Sequence, residues 1–309
     1  MQNGLDRYTV DQGTNLHRIT LDGESIENVK KIMVEMPPNV EFDMSEDIAA
    51  EMFGTPSNDE IIDVCFGDLN FKIQVLSKEN QHTCKSTGLM LWESARLMTS
   101  ILAENPSITA GRRILELGCG CSGVCSMVAA QFADLVVATD GDAKAIDLLT
   151  RNVAANLTPK LQNKLLVRKL HWGNQEHIDA IKKDNEKGFE VIIGTDVTYI
   201  ADAIIPLFDT AAKLISVDAD TGEQLGSALV LCHVLRRVDE PSILSAASRF
   251  GFRLVDKWSG SGNRSCSSSI ISSWFSKIIL KDQIPSTALS ILYFQRVKTD
   301  SEMKFIKDL

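Results

Sequence analysis

The fold of this chain is decided by ILELGCGCSG, which runs from Ile114 to Gly123. The apolar start predicts a buried strand, and the glycines that follow predict a tight loop and then a helix starting near Ser122. Gly118 and Gly120 lack a β-carbon, so the backbone can adopt positive φ and a ligand can approach the peptide plane. Unpaired N–H groups at the helix start add donors. This unit predicts a site for a nucleotide-like cofactor.

Two cofactor patterns fit this loop. Its glycines, together with Gly123, spell the GxGxxG of dinucleotide binding, whereas Glu116 adds the acidic-x-G-x-G pattern of S-adenosylmethionine (SAM) enzymes. A carboxylate at the end of a buried strand needs a partner. The cationic amino acid end of SAM would supply one, and an anionic pyrophosphate would be repelled. The loop therefore favours SAM, with an ion pair from Glu116 to Arg112 or Arg113 as the purely structural alternative.

Size and composition narrow the class of protein. The chain has 309 residues, a net charge of −9 and 44% hydrophobic residues, which predicts one catalytic domain over 57–309 after a polar, acidic extension over 1–56. No apolar run reaches the roughly 20 residues of a membrane span, and no secretory pattern opens the chain. We expect a soluble monomer in the cytoplasm, with the nucleus as an additional location. An acidic chain is a poor match to nucleic acid and a better one to a basic protein partner.

The cysteines predict free thiols rather than a disulfide framework or a metal site. Their number is seven, and an odd, scattered set suits a reducing compartment. Cys119, Cys121 and Cys125 lie on the tight loop and its helix, without a second cluster at zinc spacing. We therefore expect no metal.

Alternating patterns along the chain predict the architecture. Residues Glu60 to Ser77 alternate around Gly67-Asp68, as a β-hairpin does, and Thr87 to Ala103 carry a helical apolar stripe with Trp92 near its start. Strand and helix patterns then alternate, and the last two strands follow each other without a crossover helix. The predicted fold is α/β: a Rossmann-like, seven-stranded, mainly parallel sheet with an antiparallel last strand, preceded by a small β-hairpin.

Ligands of open α/β sheets bind beyond the carboxyl ends of the strands, and this rule nominates further residues. Asp140 follows the second strand of the sheet, where an acid accepts hydrogen bonds from ribose hydroxyls. Asp196 and Tyr199 follow the fourth strand and are expected one helical turn apart, facing one ligand. Trp172 either stacks on an adenine or fills a gap beside a helix. The histidines His171 and His233 are expected as hydrogen-bonded edge residues rather than catalytic bases.

Five separated motifs occur in the order of a known family. They are GLMLWESA, LELGCGCSG, ATDGD, LHWG and GTDVTYIADAIIPLF, and the resemblance they carry covers about residues 60 to 300. Together they resemble the seven-β-strand SAM-dependent methyltransferases of the protein-lysine type, marked by an Asp-x-x-Tyr motif. The chain is also similar to a domain that in plants follows a tRNA 3-methylcytidine methyltransferase domain. One departure is Ser122, which stands where the family has a third glycine and is a good N-cap residue.

The resemblance implies a role for each matching residue. Asp196 and Tyr199 would line the site of methyl transfer. The cofactor site would comprise Trp92, Glu116, Gly118, Gly120, Asp140, Gly141, Trp172 and Asp196. The implied cofactor is SAM, and the implied acceptor is a nitrogen nucleophile, most simply a protein lysine. The alternatives are a tRNA methyltransferase, or a component of one, and a silent SAM-binding module; an oxidoreductase is the weakest.

The least ordinary segment is the insertion from Ser259 to Pro285. Its first part, SGSGNRSCSSS, is typical of a flexible linker. An apolar stripe at helical spacing follows from Ile270 to Ile279. This stripe predicts a helix that either covers the edge of the sheet or docks the methylated partner.

Overall fold

The computed structural model describes residues 59–81, 84–216, 227–234, 238–260, 269–275 and 289–296. The predicted extension over 1–56, the linker within 261–268 and the end of the apolar stripe at Ile278 and Ile279 lie outside these residues. The domain boundary at 56/57 therefore stays a prediction. Across the described ranges, no helix has both the length and the hydropathy needed to cross a bilayer.

The elements alternate as the sequence patterns predict. The strands are β1 Asp59–Phe66, β2 Leu69–Leu76, β3 Arg113–Leu117, β4 Leu135–Asp140, β5 Leu165–Lys169, β6 Val191–Thr195, β7 Ala228–Val234, β8 Phe252–Ser259 and β9 Leu289–Arg296. The helices are α1 Glu93–Glu104, α2 Val124–Ala129, α3 Ala143–Asn156, α4 Pro159–Gln162, α5 Gln175–Asp184, α6 Ala201–Leu214, α7 Glu240–Arg249 and α8 Ile270–Trp274. Short 3-10 turns occupy Thr87–Leu89 and Pro106–Ile108.

The main sheet has seven strands in the order β5-β4-β3-β6-β7-β9-β8. The pairs from β5 to β7 are parallel, and β9 runs antiparallel to both β7 and β8. Near-continuous apolar runs such as VIIGT in β6 suit strands that are buried on both faces. The predicted fold class, including the antiparallel last strand, is confirmed.

The hairpin forms its own two-stranded sheet. β1 and β2 pair antiparallel from Asp59↔Leu76 to Phe66↔Leu69, and the turn between them contains Gly67 at φ 56°. The alternating residues Phe71, Ile73 and Val75 are buried. They join the apolar cluster beneath α1 and α3, so the predicted hairpin is confirmed and is part of the core.

Apolar side chains fill both faces of the main sheet. One cluster joins the hairpin, α1, α2 and α3 to the sheet and includes Ile73, Met98 and Leu149. The other joins α5, α6 and α7 to the opposite face. In the second cluster, the Phe208 ring lies 5.9 Å from that of Phe294, edge-on, which suits the aromatic quadrupoles. This three-layer arrangement holds the carboxyl ends of the parallel strands at one edge.

Two predicted helix starts are wrong by a few residues. The predicted helix over 87–103 opens with the 3-10 turn, and α1 itself begins only at Glu93, with Trp92 as its N-cap. The predicted start near Ser122 shifts to Val124, because Gly123 takes the N-cap position at φ 51°, in the left-handed region. Ser122 is therefore not the N-cap, and the loop is longer than predicted.

The described part of the insertion covers the edge of the sheet. Ile271 and Trp274 of α8 are buried, and the Trp274 ring lies 5.9 Å from that of Tyr293 in β9. The Asp256 carboxylate in β8 accepts hydrogen bonds from the Ser269 hydroxyl at 2.6 Å and the Ile271 N–H at 2.8 Å. These contacts favour the covering helix over a docking surface, since the apolar side chains are already buried.

Candidate active site

A cavity of about 560 Å³ opens at the carboxyl ends of β3, β4, β5 and β6. This size lies within the range of small-molecule sites. Nearly all the predicted site residues line it: Trp92, Gly118, Gly120, Asp140, Gly141, Trp172, Asp196 and Tyr199. His171 lies at the same wall, whereas Glu116 is absent from the lining. The topology thus brings together residues that lie more than 100 positions apart.

The floor of the cavity is the glycine loop after β3. Gly118 has φ 66° and Gly120 has φ 60°, a region that L-residues rarely occupy. A β-carbon on Gly118 would lie 2.7 Å from Val197 Cγ1, and one on Gly120 would lie 2.9 Å from the Gly88 carbonyl oxygen. Both positions therefore require glycine, because the backbone has a positive φ and because other residues of the protein lie too close for a β-carbon.

Glu116 stands behind this loop rather than in the cavity. Its carboxylate accepts a hydrogen bond from the Ser126 N–H at 2.9 Å and one from the Ser126 hydroxyl. Since Gly123 caps α2 without a side chain, Glu116 supplies the missing acceptor at the third position of that helix. Burial raises the pKa of Glu116 to about 7, against the opposing hydrogen bonds from Ser126.

Arg113 does not form the ion pair with Glu116 that was considered as the structural alternative. The Arg113 guanidinium pairs with Glu190, and its Nε donates to the Gly188 carbonyl at 2.8 Å. Glu116 is instead held by hydroxyl and backbone donors. Its position behind the cavity fits a role in holding the glycine loop in shape, without direct contact with a bound ligand.

Asp140 ties the end of β4 to the loop. Its Oδ2 accepts the Gly120 N–H at 2.9 Å, and its Oδ1 accepts the Asp142 N–H at 2.9 Å. Burial raises the pKa of the Asp140 carboxyl above its usual range. An ionised carboxylate has about four acceptor positions, so it retains acceptor capacity beyond its backbone bonds, and the residue lines the cavity. It is placed to accept hydrogen bonds from ligand hydroxyls.

A segment before α1, residues 85–92, crosses over the loop and is called the strap here. The Gly88 carbonyl accepts the Cys121 N–H at 2.6 Å. The Thr87 hydroxyl lies 2.8 Å from the Tyr199 hydroxyl, and the Trp92 Nε1–H donates to the Thr87 carbonyl at 3.0 Å. The strap therefore joins the loop to the opposite wall. The glycine preceding LMLW was the available sequence signal for this contact.

Asp196 adopts an unusual backbone conformation. Its φ is 54°, and it is the only non-glycine residue with a positive φ among the described residues. Its N–H donates to the Cys232 carbonyl of β7 at 2.9 Å, which holds the strand end in place. Left-handed φ costs about 1–3 kcal/mol and clusters at functional sites. The strain supports a functional role for this carboxylate.

The predicted helical spacing between Asp196 and Tyr199 is wrong. Helix α6 begins only at Ala201, and residues 196–200 form a loop. Both side chains nevertheless face the same cavity, because the left-handed turn at Asp196 redirects the chain. Shared orientation here comes from a loop rather than from one helical turn.

The two histidines differ in position. His233 is buried, and its Nδ1 lies 2.5 Å from the Thr198 Oγ1; burial lowers the pKa of His233. It thus supports the loop that carries Asp196, as a hydrogen-bonded residue outside the cavity. His171 lines the cavity, and its ring stacks on His177 with centroids 5.4 Å apart. His233 is hydrogen-bonded as expected from the sequence, whereas its pairing with Thr198 was not predicted.

The loop cysteines are buried thiols. Cys119, Cys121 and Cys125 are free, and burial raises the pKa of each. Within the described ranges, no group of three or more His, Cys, Asp or Glu side chains is arranged to hold a metal ion.

Comparison with known proteins decides between the two cofactor patterns. Residues 72–247 match the family described as lysine methyltransferase. This chain belongs to that lysine methyltransferase family. The match begins within β2 and includes the strap, the glycine loop and the Asp196 loop, so SAM is the cofactor and a dinucleotide is not.

Three curated proteins are similar to this chain over about half of its length. The zebrafish protein N-lysine methyltransferase METTL21A is 28% identical over 54% of this chain and 70% of its own length. The mouse METTL21A is 30% identical, over 49% and 65%. The protein-lysine N-methyltransferase EFM3 of Chaetomium thermophilum is 27% identical, over 55% and 49%. The chain thus spans between about half and 70% of these relatives.

A solved structure agrees on the fold. The crystal structure of SMU.776, a candidate methyltransferase, complexed with SAH has a TM-score of 0.50 to this chain at 12% identity. The alignment covers 77% of this chain and 56% of that one. At this identity the likeness shows the architecture alone, which is the Rossmann-like methyltransferase fold.

Proposed function

We propose that this protein transfers a methyl group from SAM to the side-chain amine of a lysine in a protein substrate. The observation that carries the proposal is that Asp196 and Tyr199 open into the same cavity as the glycine loop and Asp140. The family match and the names of the relatives support lysine as the acceptor. Which protein carries that lysine is left to experiment.

The residues of the cavity fit SAM. A side chain at Gly118 or Gly120 would fill the space against Val197 or the strap, so the loop keeps a cradle for a close ligand. Asp140 offers acceptors for ribose hydroxyls, and the partly buried Trp172 offers a ring face for adenine. Trp92 and Gly141 complete the walls. When bound, SAM supplies a methyl group activated on a cationic sulfur.

Asp196 and Tyr199 would act on the acceptor. A lysine amine attacks only through a free lone pair, so it must enter unprotonated. The Asp196 carboxylate, 8% exposed, would orient the amine, or the amino end of SAM, by accepting N–H bonds. Tyr199, fixed by Thr87, would wall the channel and exclude water. Positioning of this kind contributes about 7–11 kcal/mol to a reaction between two bound partners.

The competing acceptor is tRNA, from the resemblance to a plant domain that follows a tRNA methyltransferase domain. The relatives named above are protein methyltransferases, and they give the tRNA alternative no support. We therefore propose a protein partner. The predicted cytoplasmic location and monomeric state stay predictions.

The test is transfer of labelled methyl from SAM into an extract by the purified full chain. Aliquots are then digested separately with protease and with ribonuclease. Loss of the label with protease alone supports the proposal, and methyl-lysine in the hydrolysate identifies the acceptor. Loss with ribonuclease alone overturns it in favour of RNA. If no label is transferred although the purified protein binds SAM in calorimetry, the protein is a silent SAM-binding module and the proposal fails.

The matched control in this assay is Asp196→Asn. Asparagine, like aspartate, is enriched at left-handed φ among non-glycine residues, so the variant removes the charge without adding backbone strain. The label should disappear with this variant. Calorimetry on the same protein then tells the two roles apart: SAM binding is kept if Asp196 orients the acceptor amine and is weakened if it holds the amino end of SAM. This pair separates enzymatic transfer from a contaminating activity.

A further inference from the structure

The hairpin is attached to α3 by two asparagine side chains. Asn152 Oδ1 accepts the Gln74 N–H at 2.8 Å, and Asn152 Nδ2 donates to the Gln74 carbonyl at 2.9 Å. Asn156 makes the same pair of bonds with Lys72, at 2.7 and 2.9 Å. Each amide thus pairs with the edge of β2 as another strand would. This covers backbone groups that a free edge leaves exposed.

The spacing of helix and strand explains why two such pairs form. Residues four apart on a helix are about 6 Å apart along its axis, and residues two apart on a strand are about 6.7 Å apart. Asn152 and Asn156 therefore match Gln74 and Lys72 with only a small offset. The two asparagines make the same pair of bonds with the hairpin, and the pair of Asn156 is the more exposed one.

They differ in their remaining N–H group. Asn156 donates its second Nδ2–H to the Asn152 carbonyl of its own helix at 2.8 Å. Asn152 donates its second Nδ2–H to the Cys121 carbonyl at 2.8 Å. Cys121 directly follows Gly120 in the glycine loop, and its own N–H is bound by the strap at Gly88. The backbone of Cys121 is therefore held at its N–H by the strap and at its carbonyl by Asn152.

We propose that Asn152 is a positioning residue that couples the hairpin to the cofactor loop, so that SAM affinity depends on hairpin attachment through the Asn152–Cys121 bond. The amide is 2% exposed, and all of its hydrogens are used. Removing it leaves the Cys121 carbonyl buried without its donor and frees the loop to shift. The coupling is reciprocal, because a ligand that orders the loop must also tighten the hairpin. The inference rests on the proposed cofactor role of the loop.

The test compares Asn152→Ala with Asn156→Ala in the full chain, by SAM calorimetry. Both variants lose one hairpin pair, but only the first loses the link to the loop. Asn152→Ala should raise the Kd for SAM about fivefold, the effect of one hydrogen bond, and Asn156→Ala should leave it within about twofold. In the methyl-transfer assay, Asn152→Ala should raise the KM for SAM more than it lowers kcat. Equal Kd values for the two variants would overturn the coupling.

A second measurement uses the wild-type protein and guards against misfolding of Asn152→Ala. Residue-resolved amide hydrogen exchange is recorded with and without SAM. SAM should slow exchange at the Gln74 N–H, which Asn152 accepts, more than at the Lys72 N–H, which Asn156 accepts. Equal protection at the two amides would refute the proposal. Failure of the wild type to bind SAM at all would instead refute the cofactor role of the loop.

Discussion

Replacing Glu116 with glutamine should remove a pH-dependent cost from the folded protein. The carboxyl is 2% exposed, and burial outweighs the Ser126 hydrogen bonds, so its pKa rises from 4.5 to about 7. Below pH 4.5 the carboxyl is protonated in both the folded and the unfolded chain. Between pH 4.5 and 7 the unfolded chain releases the proton first. The free energy of unfolding therefore falls as the pH rises through this window.

The size of the effect follows from the pKa difference. A difference of about 2.5 between the folded and unfolded pKa values, at about 1.4 kcal/mol for each pKa unit, corresponds to about 3 kcal/mol. Above pH 7 both chains are ionised and the cost is constant. Glutamine keeps the shape and an acceptor for the Ser126 N–H, and it carries no charge at any pH. Glu116→Gln should thus gain about 3 kcal/mol relative to wild type between pH 4.5 and 7.5.

Urea unfolding of both proteins at a series of pH values from 4.5 to 8 measures this difference. Taking variant minus wild type cancels the titration of all groups that the two chains share. As a further check, Ser126→Ala removes the hydroxyl donor that lowers the pKa of Glu116 and keeps the backbone N–H, so the pH window of that variant should extend to higher pH. A difference between Glu116→Gln and wild type that stays constant from pH 4.5 to 8 would refute the reasoning.

Three further predictions concern the cavity. Asp196→Asn should lower kcat for methyl transfer by far more than it lowers the melting temperature; unchanged turnover would remove this residue from the mechanism. Asp140→Ala should raise the Kd for SAM at least about tenfold in calorimetry, as expected for lost hydrogen bonds to a charged acceptor, and an unchanged Kd would exclude the ribose role. Gly118→Ala should destabilise the protein by about 1–3 kcal/mol and abolish SAM binding, because the new β-carbon meets Val197. Thermal unfolding measures the loss of stability, and calorimetry measures the loss of SAM binding. Wild-type affinity for SAM in this variant would refute the claim that the loop needs Gly118 to hold the cofactor.

The order of elements and the main site residues were accessible from the sequence because they depend on local pattern. Near-continuous apolar runs mark strands buried on both faces, and the glycine loop marks the strand end that holds a cofactor. Since parallel strands place their carboxyl ends at one edge, Asp140 and Asp196 could be assigned to one cavity without knowing a single contact. The antiparallel β9 followed from the missing crossover helix.

Exact boundaries were less accessible because they depend on contacts between distant segments. The strap interrupts the helical stripe at 87–92, since the Gly88 carbonyl bonds to Cys121 in the glycine loop. Gly123 rather than Ser122 caps α2, since the carboxylate of Glu116 already serves the helix start. The spacing of apolar residues within a segment does not indicate either of these contacts.

By itself, then, the sequence determined the class of fold, the cofactor loop, the family and the strand ends at which chemistry occurs. Only the tertiary structure decided that Glu116 bonds to Ser126 and not to an arginine, and that Asp196 turns with a positive φ. It alone decided that Asn152 joins the hairpin to the loop. The physical reason is that periodicity encodes which face of an element is buried, whereas hydrogen-bond partners far apart in the chain are selected only when the elements pack.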